Sequence, residues 1–399
     1  MSATIGSRLR ELRKLRGLTQ AELASLTKRL PGTRGVSVAT IRLLEQERAG
    51  DTRAETLHDL ARVLRVPTSR LLGDTKEPEH ADTETTDRWK AVRAALTHPP
   101  IVAEGLDRPP TVEGVRGAFR DLEPHLKRLQ LDELSTLMPR VIRDADALGS
   151  EGRAVRMRVL QTTAWLLTQT RQFDAAEMAL ERATDEGEDH LELATTVNTK
   201  LWLLLRTGQL GAARDLAVQW ADETEPRRIS RATPDELCAW GWMLLRVSNA
   251  SVRDNRATEA DHAMRLARGA AEVLGREYKP PSEVTRTFGP TTVAMKSAEN
   301  ASIRHRPDLV LRLAGEVPVY AVRPSTSNRN RHRLDVAGAH LSLRQYSETI
   351  GKLREIHASA PEWLPNQRLA RDIVDRLIDR RRALTPEMRR LANVVKLPV

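Results

Sequence analysis

Between residues 18 and 73 the chain is cut into short, separately capped apolar stripes, which restricts it to a compact cluster of small helices. Leu-Thr-Gln-Ala-Glu-Leu-Ala starts at residue 18, Val-Ser-Val-Ala-Thr-Ile-Arg-Leu-Leu-Glu at 36, and Glu-Thr-Leu-His-Asp-Leu-Ala-Arg-Val-Leu at 55, running on to Leu-Leu-Gly at 73. Thr19 suits an N-cap, and Glu22 three residues later completes a capping box. Ser37 caps the next helix in the same way. Upstream, a first helix is expected over Ile5 to Leu15, burying Ile5, Leu9, Leu12 and Leu15, with Arg8, Arg10, Arg13, Lys14 and Arg16 facing water and Gly17 ending it. In the helix opened by Ser37, Ile41 and Leu44 form the buried stripe, and Val38, Ala39, Arg42, Leu43 and Gln46 lie on other faces.

This head is basic. Residues 1–75 carry 14 Arg or Lys against 8 Asp or Glu, so about +6 of the +10 net charge sits in under a fifth of the 399 residues. A basic head on a nearly balanced body points to a polyanion partner at the head. Two capped helices joined by a turn inside such a head resemble the Xre family of helix-turn-helix domains, the phage-repressor/Cro type, over roughly residues 5–73. The resemblance implies a five-helix domain at 1–75 that binds double-stranded DNA and lays the helix opened by Ser37 in the major groove. Carried over by position, it nominates Val38, Ala39 and Arg42 as base readers, with Thr40 and Gln46 behind them, and Gln20 as an anchor to the backbone and the recognition helix. Arg42 suits either a guanine edge or a phosphate; Val38 and Ala39 suit a thymine methyl or local packing; a solvated helix surface is the lesser alternative for Gln20.

Two departures from the family stand out. The loop Thr27-Lys-Arg-Leu-Pro-Gly-Thr-Arg-Gly35 is longer than the usual tight turn, and its Lys28, Arg29 and Arg34 suit phosphate contacts as well as a tolerated insertion. After helix 3 the family's Glu-Arg-Gly is replaced by Glu45-Gln-Glu47, which leaves the end of that helix open.

Residues 76–110 are expected to be a polar linker carrying one short helix, Trp89 to Leu96, with Pro99-Pro100 and Pro109-Pro110 beyond it. From 111 to 399 the chain becomes a succession of helix pairs. Thr-Arg-Gln-Phe-Asp-Ala-Ala-Glu-Met-Ala-Leu (170–180) is echoed by Arg-Thr-Gly-Gln-Leu-Gly-Ala-Ala (206–213) and by Leu-Arg-Gln-Tyr-Ser-Glu-Thr-Ile (343–350). Each places a turn before a large apolar residue (Phe173, Leu210, Tyr346), then a small or short one (Ala176, Ala213, Thr349) where a neighbouring helix presses close. Phe173 and Leu210 lie 37 residues apart, near the roughly 34-residue tetratricopeptide period. Pairs are expected near 111–148, 151–187, 188–224, 233–274, 282–316 and 329–360, with a cap from 362. Aromatics are 3% of the chain, so Leu, Val, Ala and Ile must build the core, and the fold class is all-α.

The array resembles tetratricopeptide arrays, and a head of this kind on such an array resembles the Rgg/PlcR-type regulators and, more closely, the large Xre-plus-repeat regulators of actinobacteria; Thr-Phe-Gly-Pro-Thr-Thr-Val-Ala (287–294) has the flavour of the second group. The resemblance implies a concave groove for a signal peptide or small molecule, and a homodimer reading a palindromic operator. In the repeat register Gln161, Trp165 and Gln169 on one inner helix, Asn198, Trp202 and Arg206 on the next, and Asn300 further on are the groove candidates. Trp165 and Trp202 suit a core better than a ligand contact, and Asn198 suits a solvated surface equally.

Other chemistries have no support. There is no Gly-rich phosphate loop, His-Glu-x-x-His, metal spacing or nucleophile elbow, so no catalytic site, metal or cofactor is expected. The one cysteine, Cys238, suits a core position, and Arg380-Arg-Arg382 with Arg389 and Arg390 the solvated face of a terminal helix. The N-terminus lacks an apolar signal core and no apolar run approaches the ~20 residues of a membrane span, so a cytoplasmic protein is expected. A sequence-specific transcriptional regulator with a signal-sensing, dimerising array is the favoured function; a repeat scaffold tethered through its head is the alternative.

Overall fold

The computed structural model describes residues 4–30, 33, 35–47, 54–72, 83–97, 109–281, 283, 286–317, 325–381 and 383–398. Among them the chain is all-α, apart from one isolated antiparallel bridge between Tyr278 and Phe288.

The head is five helices: α1 (Ile5–Leu15), α2 (Gln20–Lys28), α3 (Val38–Glu45), α4 (Ala54–Leu64) and α5 (Thr68–Leu72). The caps fall where the side chains dictate. Thr19 Oγ1 accepts from the Glu22 amide at 3.1 Å and Glu22 accepts from the Thr19 amide at 2.7 Å, closing the capping box. Ser37 Oγ accepts from the Thr40 amide at 3.0 Å. Leu9, Leu23, Ile41, Leu44, Leu60, Leu64 and Leu71 interlock as the head's core.

Four details of helix α1 differ from the sequence expectation. Leu15, in the last turn, is exposed, and Ile5 is only half-buried. Arg13 takes an inward place instead: its Nε and Nη2 form a bidentate pair with Glu45 at 2.6 and 2.9 Å, and its Nη1 donates to the Leu18 carbonyl at 2.6 Å. Arg8 also leaves water, donating to the carbonyls of Leu71 and Leu72. Guanidiniums that satisfy helix-end carbonyls and a buried carboxylate hold their place better than a leucine at a helix end with no facing surface.

The segment expected to be linker is partly array. Helices α6 (Thr83–Arg88) and α7 (Lys90–Thr97) flank Trp89, and Trp89, Val92, Ala95 and Leu96 are buried in the largest core of the molecule. A polar-looking stretch joins that core because α7 presents one apolar stripe to a neighbouring helix. The first expected pair is three helices, α8 (Val112–Asp121), α9 (Glu123–Arg128) and α10 (Leu131–Asp146), with α7 laid against α10.

Five helix pairs follow: α11 (Arg153–Gln169) with α12 (Phe173–Asp185), α13 (His190–Arg206) with α14 (Leu210–Glu223), α15 (Pro234–Arg253) with α16 (Ala257–Leu274), α17 (Pro290–Ile303) with α18 (Pro307–Glu316), and α19 (Thr326–Ser342) with α20 (Tyr346–Ser359). Helices α21 (Arg368–Asp379) and α22 (Pro386–Val394) close the end. Every one of these five turns carries a left-handed residue two positions before the second helix: Arg171, Gly208, Asn255, His305 and Arg344. The repeat is therefore a property of backbone conformation as well as of sequence. Ala176, Ala213 and Thr349 are buried at the helix crossings, as their size requires. Arg380 donates to the Leu341 carbonyl and Arg381 lies over the Tyr346 ring; Arg382 falls outside the described residues. No helix among the described residues is long and apolar enough to cross a membrane.

Candidate functional site

On the head, α3 keeps one edge open to solvent although the whole array is present. Ser37, Ala39, Arg42 and Gln46 are exposed, and Thr40 is half-buried with its hydroxyl 2.8 Å from that of Ser37. Val38 is half-buried against the head's core, so packing claims part of it. Leu43, which the sequence reading did not nominate, is 45% exposed on the same helix, a large apolar side chain with nothing to cover it. Lys28 and Arg29 are exposed at the end of α2; Arg34 lies outside the described residues.

The edge is held rigid from behind. Gln20 donates through Nε2 to Glu45 at 2.9 Å, joining the start of α2 to the end of α3, and Arg13 binds the same carboxylate. Burial alone would raise the Glu45 carboxyl, but the hydrogen bonds from Arg13 and Gln20 hold it below the usual carboxylate range. Helix α3 ends at Glu45, and Glu47 adopts the left-handed conformation (φ 58°) that the family's glycine would take, its carboxylate accepting from Thr4 Oγ1 at 2.5 Å.

The opposite face of the head, α4 and α5, is clipped to the array. His58 Nδ1–H donates to the Arg253 carbonyl at 3.1 Å. Asp254 accepts from the Ser69 amide at 2.7 Å, and Asn255 Nδ2 donates to Thr68 Oγ1 at 3.1 Å. These array partners lie at the end of α15 and in the turn that follows it. His305 approaches Asp59 at 3.4 Å, Arg376 approaches Glu55 at 3.6 Å, and Leu57 and Leu72 bury themselves with Leu210.

Beneath this junction lies a cavity of about 430 Å³ at the centre of the array, and Glu55, His58, Thr68 and Leu72 of the head form part of its wall. Trp165, Gln169, Trp202 and Arg206 line it. Gln161, Asn198 and Asn300 do not. Each is buried and committed to a neighbouring helix: Gln161 donates to Thr196 Oγ1, Asn198 accepts from Arg246 Nε at 2.6 Å, and Asn300 donates to Ser248 Oγ at 2.7 Å. Gln169 accepts from Trp363 Nε1 at 2.9 Å, so it is a brace in the wall as well as a lining residue.

The sequence reading missed the charged interior. Trp242, Arg246, Asn249 and Arg253 project into the cavity from α15 at spacings of four, three and four, which places them on one face of the helix. Trp242 with Arg246 repeats the tryptophan-plus-four pattern of Trp165 with Gln169 and Trp202 with Arg206, and that repetition was readable. Glu299 gathers Arg253 at 2.6 Å and Lys296 at 2.8 Å, and these buried cations hold its carboxyl well below the ordinary value although burial opposes them. Arg286 comes from the loop closed by the Tyr278–Phe288 bridge. Phe288 anchors that loop against Gly241, where any Cβ would meet the ring at 2.0 Å. Cys238 is buried in the same helix, and burial pushes its thiol up, away from reactivity.

Among known proteins, residues 9–71 match the helix-turn-helix family. The expectation of an Xre-type head is therefore met: this segment is a helix-turn-helix domain. No protein of curated function matches the chain. Among solved structures the chain is similar to the crystal structure of Bacillus thuringiensis PlcR in complex with the peptide PapR7 and DNA, at 12% identity over 79% of this chain and 95% of that one, with a TM-score of 0.37.

Proposed function

We propose that this protein, whose residues 9–71 are a helix-turn-helix domain, is a sequence-specific transcriptional regulator that reads duplex DNA with α3 and responds to a ligand held in the array. One observation carries the reading. The head is a two-faced body, with the α3 edge open to solvent and the α4–α5 face forming part of the wall of the cavity. Arg42 and Gln46 supply polar contacts to base edges, Ala39 and Leu43 apolar ones, and Lys28 and Arg29 meet phosphates beside the groove. A ligand in the cavity touches head and array together, so it binds docked and undocked arrangements unequally, which is the condition for shifting DNA affinity. Two copies of the chain place two heads on half-sites about one helical turn apart, which multiplies a modest single-head affinity.

Selection of bound duplexes from a random pool by the full-length protein tests this. A single enriched, inverted-repeat sequence is expected, bound by a dimer in sedimentation analysis, with affinity falling as salt rises because phosphate neutralisation releases counterions. An unenriched pool together with a stoichiometric protein partner would establish the scaffold reading instead.

A further inference from the structure

Resting on the reading that the array holds a ligand, we infer that the cavity is a receptor for a small organic anion: a carboxylate seated on Arg246 and Arg286, with a flat apolar body between Trp202 and Trp242. Arg246 is the reason. It is 7% exposed, its Nε is spent on the neutral oxygen of Asn198, and its guanidinium lies 5.3 Å from the centre of the Trp242 ring. Among the described residues no carboxylate pairs with it. A buried cation with no carboxylate in direct contact is expensive; Glu299 and Glu283 act on it only from a distance, and an anion supplied from outside would relieve the rest.

Arg286 stands close enough to oppose the Arg246 charge, which together with burial lowers the latter's pKa to about 9. Arg286 pairs with Glu283 at 3.2 Å and donates to Thr199 Oγ1, while its Nη1 is buried with no hydrogen-bond partner. Arg286 thus keeps an unused donor beside Arg246, which makes no direct ion pair of its own. Planar guanidiniums match the two oxygens of a carboxylate bidentately. Basic side chains outnumber acidic ones about two to one around the whole cavity, so long-range attraction favours the same sign of ligand.

The walls decide the rest of the ligand. Trp165, Trp202, Trp242 and Trp363 all face the cavity, although the chain has only 7 tryptophans. A volume of about 430 Å³ lies toward the lower end of the roughly 300–1,000 Å³ range of small-molecule pockets. It encloses one or two fused rings with a short acidic arm.

Calorimetry on the full-length protein tests the inference with 1-naphthylacetate against its neutral twin 1-naphthylacetamide, and with Gly-Gly-Phe bearing a free or an amidated C-terminus. Saturable binding of at least one acid, with its amide at least tenfold weaker, is expected, and whichever pair shows it distinguishes a free aromatic acid from a peptide end. Arg246→Met, which keeps the stem over Trp242, should erase the preference for the acid; the comparison of acid and amide on the unaltered protein stands even if that variant does not fold. Equal binding of acid and amide, or no saturable binding of either acid at millimolar concentration, overturns the inference. The affinity for the selected duplex is read in the same samples. An acid that binds with the expected preference and leaves that affinity unchanged upholds the anion site and overturns the sensing role.

Discussion

A single carboxylate sets the geometry of the DNA-facing edge. Glu45 joins α1 through Arg13 and α2 through Gln20, and both ends of the Arg13 pair are nearly buried. Removing one partner of such a pair strands the other's charge, at a cost of about 3–5 kcal/mol. Glu45→Ala should therefore lower the head's unfolding free energy by that order in denaturant titrations, whereas Arg42→Ala, altering an exposed side chain, should leave stability within ~0.5 kcal/mol. The same Arg42→Ala should cost about 1–3 kcal/mol of discrimination at one base position, seen as relaxed preference when single-base variants of the selected duplex are compared. Equal losses on every duplex would identify Arg42 as a phosphate contact instead. The signature Glu45-Gln-Glu47 departs from the family's Glu-Arg-Gly, yet the helix still ends cleanly at Glu45. Glu47 occupies the left-handed position itself and accepts a hydrogen bond from Thr4 in doing so.

Among the helices, the turn between partners is the repeating unit. Gly208 meets its left-handed requirement without strain, and Arg344 meets the same requirement with a side chain in the way. Gly208→Ala should destabilise the array by about 1 kcal/mol, and Arg344→Gly should stabilise it by a few tenths to about 1 kcal/mol, both read as shifts in thermal midpoint. Overpacking gives an independent check on the crossings: Ala213→Leu, at a position 1% exposed, should cost about 1–3 kcal/mol. These turns also explain which repeats could be read from the sequence. Phe173, Leu210 and Tyr346 announce the second helices of three pairs with a large apolar residue, whereas Ala257 and Pro307 hold that place in the middle pairs, and Asn255 and His305 do the work of glycine. Helix α7 was legible as a short helix, but its packing was not: Trp89, Val92 and Leu96 are a short stripe whose partner shows only when α10 is seen to cover it.

Over the whole molecule, the consequential contact is between head and array. His58 is buried in it beside His305, Asp59, Arg62 and the Arg253 main chain, and burial lowers its pKa to about 4. A histidine held neutral in the docked state and free to protonate when released favours docking fully above its ordinary pKa, near 6.5. That contribution is lost as the pH falls toward 4, and it amounts to about 3 kcal/mol at most. Hydrogen exchange of the α4 and α5 amides should accordingly quicken between pH 6.5 and 4 beyond its intrinsic dependence, and His58→Gln should flatten that response. His332, also buried and lowered to about 4, loosens α19 over the same range, so amides of α19 serve as the internal reference in the variant. An unaltered exchange profile in His58→Gln would show that the docking contact does not titrate through this ring.

What the amino-acid order determined alone is what local chemistry can enforce. Caps at Thr19 and Ser37, stripes such as Ile41 with Leu44, and small residues such as Ala176 act within one or two helical turns, so the helices, the head and most repeat pairs were legible. Tertiary structure alone decided what depends on distant residues meeting. Asn198, Asn300 and Gln161 suited a groove until neighbouring helices claimed their hydrogen bonds, and Arg246, Arg286 and His58 acquired a common setting because α15, the loop after Tyr278 and the head converge on one space. Burial and uncompensated charge are properties of that convergence, and no span of neighbouring residues contains them.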